Sequence, residues 1–234
     1  MSERVSLFEG TTPVLIIAPH GPDDTRTTYV AEGMISSLGC YGVINRGWRR
    51  ARTYDYDKEH ADCNNIEHIH KDVVKDEFLR PILVYHNRIR KKHPLLHVFT
   101  VHGIGKRARK LARDPMLDVI VGYGAGQPHA HTCELWRKNL FIHTLQKTAG
   151  LTVYDTEPRS PYAARNKNNL NQLFNMGYWY PDSGTVSMQI EVIHDLREDN
   201  NIAKLTGEFM GDSVKKLLTH SSWTPPLGWM TKKV

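Results

Sequence analysis

Seven consecutive residues, Pro13-Val14-Leu15-Ile16-Ile17-Ala18-Pro19, carry no polar side chain and are bounded by prolines. A run this short and this apolar is the pattern of a β-strand buried on both faces. Such a strand needs a layer of structure on each side, and the rest of the chain supplies it. Thr27–Leu38 reads as a helix stopped by Gly39, and 41–46 reads as the next strand. Further strands are expected at 95–101, 118–124, 151–154 and 185–192, and further helices at 66–92, 133–148 and 201–219. Pro81 falls inside the helix over 66–92 and should kink or split it. Strands alternate with helices, nothing repeats, and no low-complexity linker divides the chain. The expectation is one domain over residues 1–234: a three-layer α/β/α fold around a mixed, mostly parallel central sheet.

At 234 residues the chain is long enough to bury a sizeable core. With 40% hydrophobic and 24% charged residues it fits neither a disordered chain, nor collagen, nor a membrane bundle. Lys+Arg exceed Asp+Glu by 31 to 25, a formal charge of +6 with histidine neutral, which favours acidic partners. Basic stretches at 46–52, 88–92 and 106–113 raise a nucleic-acid-binding reading, but no recognised nucleic-acid motif accompanies them, and the later two read as solvated helix faces. Cys40, Cys63 and Cys133 are odd in number, widely spaced and without a C-x-x-C pair, which argues against a disulfide framework and suits a reducing cytoplasm. The first residues lack an apolar leader, and no run approaches the roughly 18 apolar residues of a membrane span.

Two stretches, 47–65 and 156–184, have no clean period and read as long loops, which in compact domains are usually functional or mobile. The first contains Arg49, Arg50 and Arg52 and could form a lid.

Histidine is the commonest metal ligand, and this chain has 13 of them. In open α/β sheets ligands bind at the carboxyl ends of strands. His20 stands just past the first apolar strand and His102 just past the third expected one, each followed by a glycine that lets the backbone turn sharply and leaves room beside the imidazole. Asp23 and Asp24 put a carboxylate in the same turn as His20. A lone histidine after a strand is commonly a hydrogen-bonded turn residue. Two of them with a carboxylate have the composition of a catalytic zinc site, with a coordination position left for water. Glu191 lies in an otherwise apolar strand, where an ionised, unpaired carboxylate costs several kcal/mol as an order of magnitude. It needs a cation, a metal or a proton. Facing a zinc-bound water it would serve as general base and then general acid; paired with an arginine it would be structural.

Other signals are weaker. His102-Gly103-Ile104-Gly105 has no G-x-S-x-G nucleophile elbow to accompany it. Gly122-Tyr123-Gly124-Ala125-Gly126 is not a dinucleotide fingerprint. The i, i+2 pairs His68/His70 and His129/His131 have no comparable context.

Pro19-His20-Gly21, Asn45-Arg46, Ala61-Asp62-Cys63-Asn64-Asn65, Val101-His102-Gly103 and Gln189-Ile190-Glu191, taken in that order, resemble the N-formylglutamate amidohydrolase family over residues 13–197. The resemblance implies a zinc-dependent amide hydrolase with the phosphorylase/hydrolase-like fold shared with metallocarboxypeptidases. It implies His20, Asp23 and His102 as zinc ligands, with Asp24 open as the alternative to Asp23, and Glu191 as the group that handles the proton. The family's Asp-x-Asn-Arg signature appears here as Asp62-Cys63-Asn64-Asn65, without its arginine. The substrate expected of such an enzyme is a small anionic N-acyl amino acid or short peptide. Arg46, Asn64 and Arg165 are the candidates to bind it, since a guanidinium matches a carboxylate well; the alternative for each arginine is a solvated loop charge.

Overall fold

A computed structural model describes residues 4–50, 60–126, 128–156, 160–175 and 184–220. One seven-stranded mixed sheet runs through it. The strands are β1 (Val5–Phe8), β2 (Val14–Ala18), β3 (Tyr41–Asn45), β4 (Leu96–Ile104), β5 (Val119–Gly122), β6 (Val153–Asp155) and β7 (Thr185–Ile193). Their order across the sheet is β1-β3-β2-β4-β7-β5-β6. Four of the pairings are parallel; β1 on β3 and β5 on β7 are antiparallel.

The apolar strands separate two cores because successive side chains point to opposite faces. Val14, Ile16 and Ala18 of β2, Phe99 and Val101 of β4 and Met188, Ile190 and Val192 of β7 face helices α1 (Thr27–Leu38), α6 (Leu135–Ala149) and α7 (Asn200–Thr219). Leu15 and Ile17 of β2 and Leu96 and Val98 of β4 face the other way, onto α2 (Ile66–Ile69), α3 (Asp72–Val74) and α4 (Arg80–Arg90). A short α5 (Arg107–Ala112) follows β4. This is the expected layered α/β architecture. No described helix is long and apolar enough to cross a membrane.

Helix α1 has the predicted bounds, and Gly39 caps it in the left-handed conformation with φ 59°. Three expectations are corrected. The single helix over 66–92 is instead broken: Asp72 has φ 28°, and a π-helical turn at Lys75–Leu79 leads into α4, with Pro81 in its first turn. A residue without an N–H disturbs the ladder just before it, which is where the wider turn sits. The third expected strand does not stop before His102 but continues to Ile104, in register with β7 along its whole length. Finally, β1 is an unforeseen edge strand whose four residues are too few to display a period.

Connections leave β2 towards β3 on one side, and the chain then returns to lay β4 on its other side. The crevice beyond the carboxyl ends of β2 and β4 is therefore the topological switch point, where an open α/β sheet offers its binding site.

Candidate metal centre

His20 sits two residues past the end of β2, and His102 near the end of β4. Their rings meet edge to face with centroids 5.0 Å apart. Asp24 closes the group: its Oδ2 is 3.4 Å from His20 Nδ1 and 3.7 Å from His102 Nδ1. One ligand atom from each of the three lies within 4.8 Å of the others. Asp24 reaches inward because the chain folds tightly after β2, with the amides of Asp23 and Asp24 both donating to the His20 carbonyl. The Gly103 amide then donates to Asp24 Oδ2 at 3.1 Å.

Asp23, the expected ligand, is not part of this group. Its carboxylate accepts instead from the Arg50 amide at 2.9 Å. Adjacent residues in a turn point in different directions, and this turn aims the second one at the histidines.

The glycines behind the histidines have a different use from the one expected. Neither has a positive φ. A Cβ on Gly21 would strike the Asn45 carbonyl, and one on Gly103 would strike the Arg197 guanidinium. Arg197, 4% exposed, donates to the carbonyls of Val192, Ile104 and Thr25 and so ties the ends of β7 and β4 to the loop before α1. Asn45 does similar work beside β2, donating to the Pro19 and Trp48 carbonyls.

Glu191 is opposite His102 in the β4/β7 register, and Gln189 is opposite Thr100. All four are buried on the face that carries Leu96 and Val98 deeper in the sheet. That face thus turns from apolar to polar towards its carboxyl end. Gln189 donates to Glu191 Oε1 at 2.8 Å and accepts from Asn169 at 3.0 Å, a chain of contacts leading from the carboxylate to the second long loop.

Described parts of the two long loops are joined to each other. Asn65 and Asn169 form an antiparallel bridge, flanked by Ile66 N–H to the Asn168 carbonyl and Leu170 N–H to the Asn64 carbonyl. Asp62, just before the bridge, places Oδ1 2.7 Å from His20 Nε2. Asp62 had no role assigned from the sequence. Neither did Gln189 or Arg197, although Gln189 could have been noticed as a second isolated polar residue on the same strand face as Glu191.

The charges are strongly coupled. Burial opposes the protonated form of His20, but contacts with Asp24 and Asp62 outweigh it and raise its pKa to about 9. Burial also opposes the carboxylate of Asp24, yet His102 and His20 hold it well below the usual range. His102, 3% exposed, is lowered chiefly by burial, and its Nε2 has no hydrogen-bond partner. Burial, together with the negative charge of Asp24, raises Glu191 to about 8.

Of the expected substrate-binding residues, Arg46 points elsewhere, pairing with Glu32 and Ser6. Asn64 lies on the loop bridge, and its Oδ1 is buried without a hydrogen-bond partner. Arg165 borders a cavity with Asn166 and Asn169. Arg52 and the core of the expected lid, 51–59, lie outside the described residues. Elsewhere in the basic stretches, Arg88 pairs with Glu9, and Lys106 and Arg109 with Asp195.

No family model matches the chain, and no curated protein matches it. Solved structures do. An N-formylglutamate amidohydrolase from Ralstonia eutropha JMP134 aligns with a TM-score of 0.52 at 12% identity, over 91% of this chain and 98% of that one. The protein shares the fold of that hydrolase structure. A gene product from Agrobacterium tumefaciens aligns at 0.59 and 13%, over 93% of this chain and 97% of its own. A metallo-carboxypeptidase from Burkholderia cenocepacia aligns at 0.55 and 14% over 92% of this chain, which spans 65% of the longer enzyme. At these identities the likeness is one of fold, and it agrees with the hydrolase-like fold expected from the ordered motifs.

Proposed function

We propose that the protein is a zinc-dependent hydrolase that cleaves the C–N amide bond of a small N-acyl amino acid or peptide-like acid. The observation that carries this reading is the convergence of His20, Asp24 and His102 at the sheet's switch point, with Glu191 opposite His102 on the neighbouring strand. The fold held in common with an amidohydrolase and a metallo-carboxypeptidase supports it.

The residues present suit a zinc ion. Two imidazoles and one carboxylate can reach a single ion, this nitrogen and oxygen donor set is one zinc favours, and three protein ligands leave a position open. The buried, unbonded Nε2 of His102 marks the group as incomplete without a further partner. When bound, zinc would polarise the substrate carbonyl and lower the pKa of a water.

The chain's own residues do the rest. Asp62 fixes the orientation of the His20 ring from its far side, as an outer carboxylate does in many metal sites. Glu191, buried and raised to about 8, can take a proton from water and return it to the leaving amine near neutral pH. Gln189 holds one carboxylate oxygen in place, and Arg197 fixes the ends of the two strands that present His102 and Glu191.

The test is hydrolysis of a panel of N-acyl amino acids and short peptides by purified protein, with metal content measured alongside. Glu191→Gln should keep the metal and lose about 100- to 10,000-fold in rate. Full activity in that variant, or no zinc uptake by the wild type, would rule the reading out.

A further inference from the structure

Helix α7 carries more apolar surface than the fold buries. One face, with Ala203, Gly207, Met210, Val214 and Leu217, is buried against the body of the protein. Gly207 lets α1 come close there, since a Cβ on it would strike the Val30 carbonyl. Burial of that one stripe meets the usual requirement of a surface helix. A second stripe remains outside. Ile202, Leu205 and Phe209 are 39%, 50% and 49% exposed. They are spaced by three and then four residues, so they share one side of the helix. Single exposed apolar residues are ordinary, but three large ones along one helix face form a patch that water disfavours. The spacing is also that of the seam along which two helices pack on each other.

The charges around the stripe show which partner it suits. Residue 207 is the midpoint between Leu205 and Phe209. Glu198 stands nine residues before it and Lys216 nine residues after it. Both are exposed, and neither has an ion pair or side-chain hydrogen bond among the described residues. An acid at the start of a helix and a lysine at its end also suit the helix dipole, but the dipole gives no reason for apolar side chains in water between them.

Two copies of α7 laid antiparallel about a twofold axis at residue 207 bring Leu205 of each onto Phe209 of the other. The same operation sets Glu198 of each copy beside Lys216 of the other, so the face is complementary to itself. Asp212, which this register brings to Ile202 of the other copy, is already turned aside, its carboxylate accepting from Ser37 and Lys215.

We infer that the exposed face of α7 is the interface of a homodimer, formed by antiparallel pairing of the helix with its copy. The helix has 20 residues and is about 30 Å long. Contact along one such helix is at the small end of specific interfaces, about 1,200 Å² or less in total. The dimer is therefore weak, with a Kd of roughly 1–100 µM. It leaves the metal centre open: α7 packs on the sheet face that carries Ile190 and Val192, opposite to the one carrying His102 and Glu191. The inference accordingly stands or falls apart from the hydrolase reading.

The experiment is sedimentation of the full chain from about 1 µM to about 1 mM, which brackets that range. The wild type should pass from monomer to dimer as concentration rises. Phe209→Glu should stay monomeric throughout, with a melting temperature close to that of the dilute wild type, because about half of the side chain is already in water. Glu198→Lys and Lys216→Glu each turn two attractive contacts into repulsive ones and should weaken the dimer roughly 3- to 30-fold at low salt. The double variant Glu198→Lys/Lys216→Glu restores both contacts and should regain the lost affinity. A wild type that is monomeric up to about 1 mM, association that Phe209→Glu leaves unchanged, or a double variant no better than either single one would overturn the inference. So would a Phe209→Glu protein that melts far below the dilute wild type, since the stripe would then be covered by the chain itself.

Discussion

His102 on β4 and Glu191 on β7 are register partners across a parallel ladder, both buried and both on the same face of the sheet. Neighbouring strands hold them more rigidly than loops would. Their opposite shifts have one main origin: burial disfavours charge, lowering the imidazole and raising the carboxyl to about 8.

Glu191 should therefore leave a signature in stability. Its pKa is raised from 4.5 to about 8, so the folded protein holds the proton more tightly than the unfolded chain. The resulting stabilisation is fully present below about 4.5 and is lost as pH rises through about 8. Urea melts of metal-free wild type and Glu191→Gln, compared below and above that window, should show the wild type losing a few kcal/mol relative to the variant. Parallel pH dependences would contradict the assignment.

The two adjacent aspartates should separate cleanly. Asp24→Ala should weaken zinc binding by more than the roughly 10- to 100-fold expected of an outer-shell partner. Asp23→Ala should leave affinity near the wild-type value, because its carboxylate serves the Arg50 amide. Chelator competition on purified proteins measures both.

Asp62→Asn keeps the shape of the contact with His20 but removes its charge. Zinc affinity should fall about 10- to 100-fold without loss of fold. An unchanged affinity with an unchanged melting temperature would show the contact to be incidental.

Gly103→Ala should be destabilising by about 1–3 kcal/mol, as overpacked cores are. The added methyl would lie within 2.8 Å of the Arg197 guanidinium, whose bonds hold two strand ends and a loop together. A denaturant melt measures the cost.

What the sequence displayed, and what it concealed, follows from how each part is held. Strand β2 was legible because burial on both faces leaves a continuous apolar run, and α1 because Gly39 is needed for its left-handed cap. His20, His102 and Glu191 stood out as polar residues at or within such runs. The choice of Asp24 over Asp23 was not legible, since a single turn decides it through two amides sharing one carbonyl. Asp62 and Asn169 come from stretches without any period and acquire their places only when the two loops pair. The broken helix before β4 was hidden because its pattern of apolar residues persists across a backbone that changes pitch.

The position of β7 has one more implication. It is the last of the described strands to be made, yet it lies between β4 and β5 and, among the described strands, is the one bonded to both. A growing chain can assemble β1-β3-β2-β4 and, separately, β5-β6, but these remain two unjoined halves until residue 193 has been synthesised. The strand that unites them also delivers Glu191. Completion of the sheet and arrival of the proposed proton carrier are thus a single event, and a chain truncated before β7 lacks both.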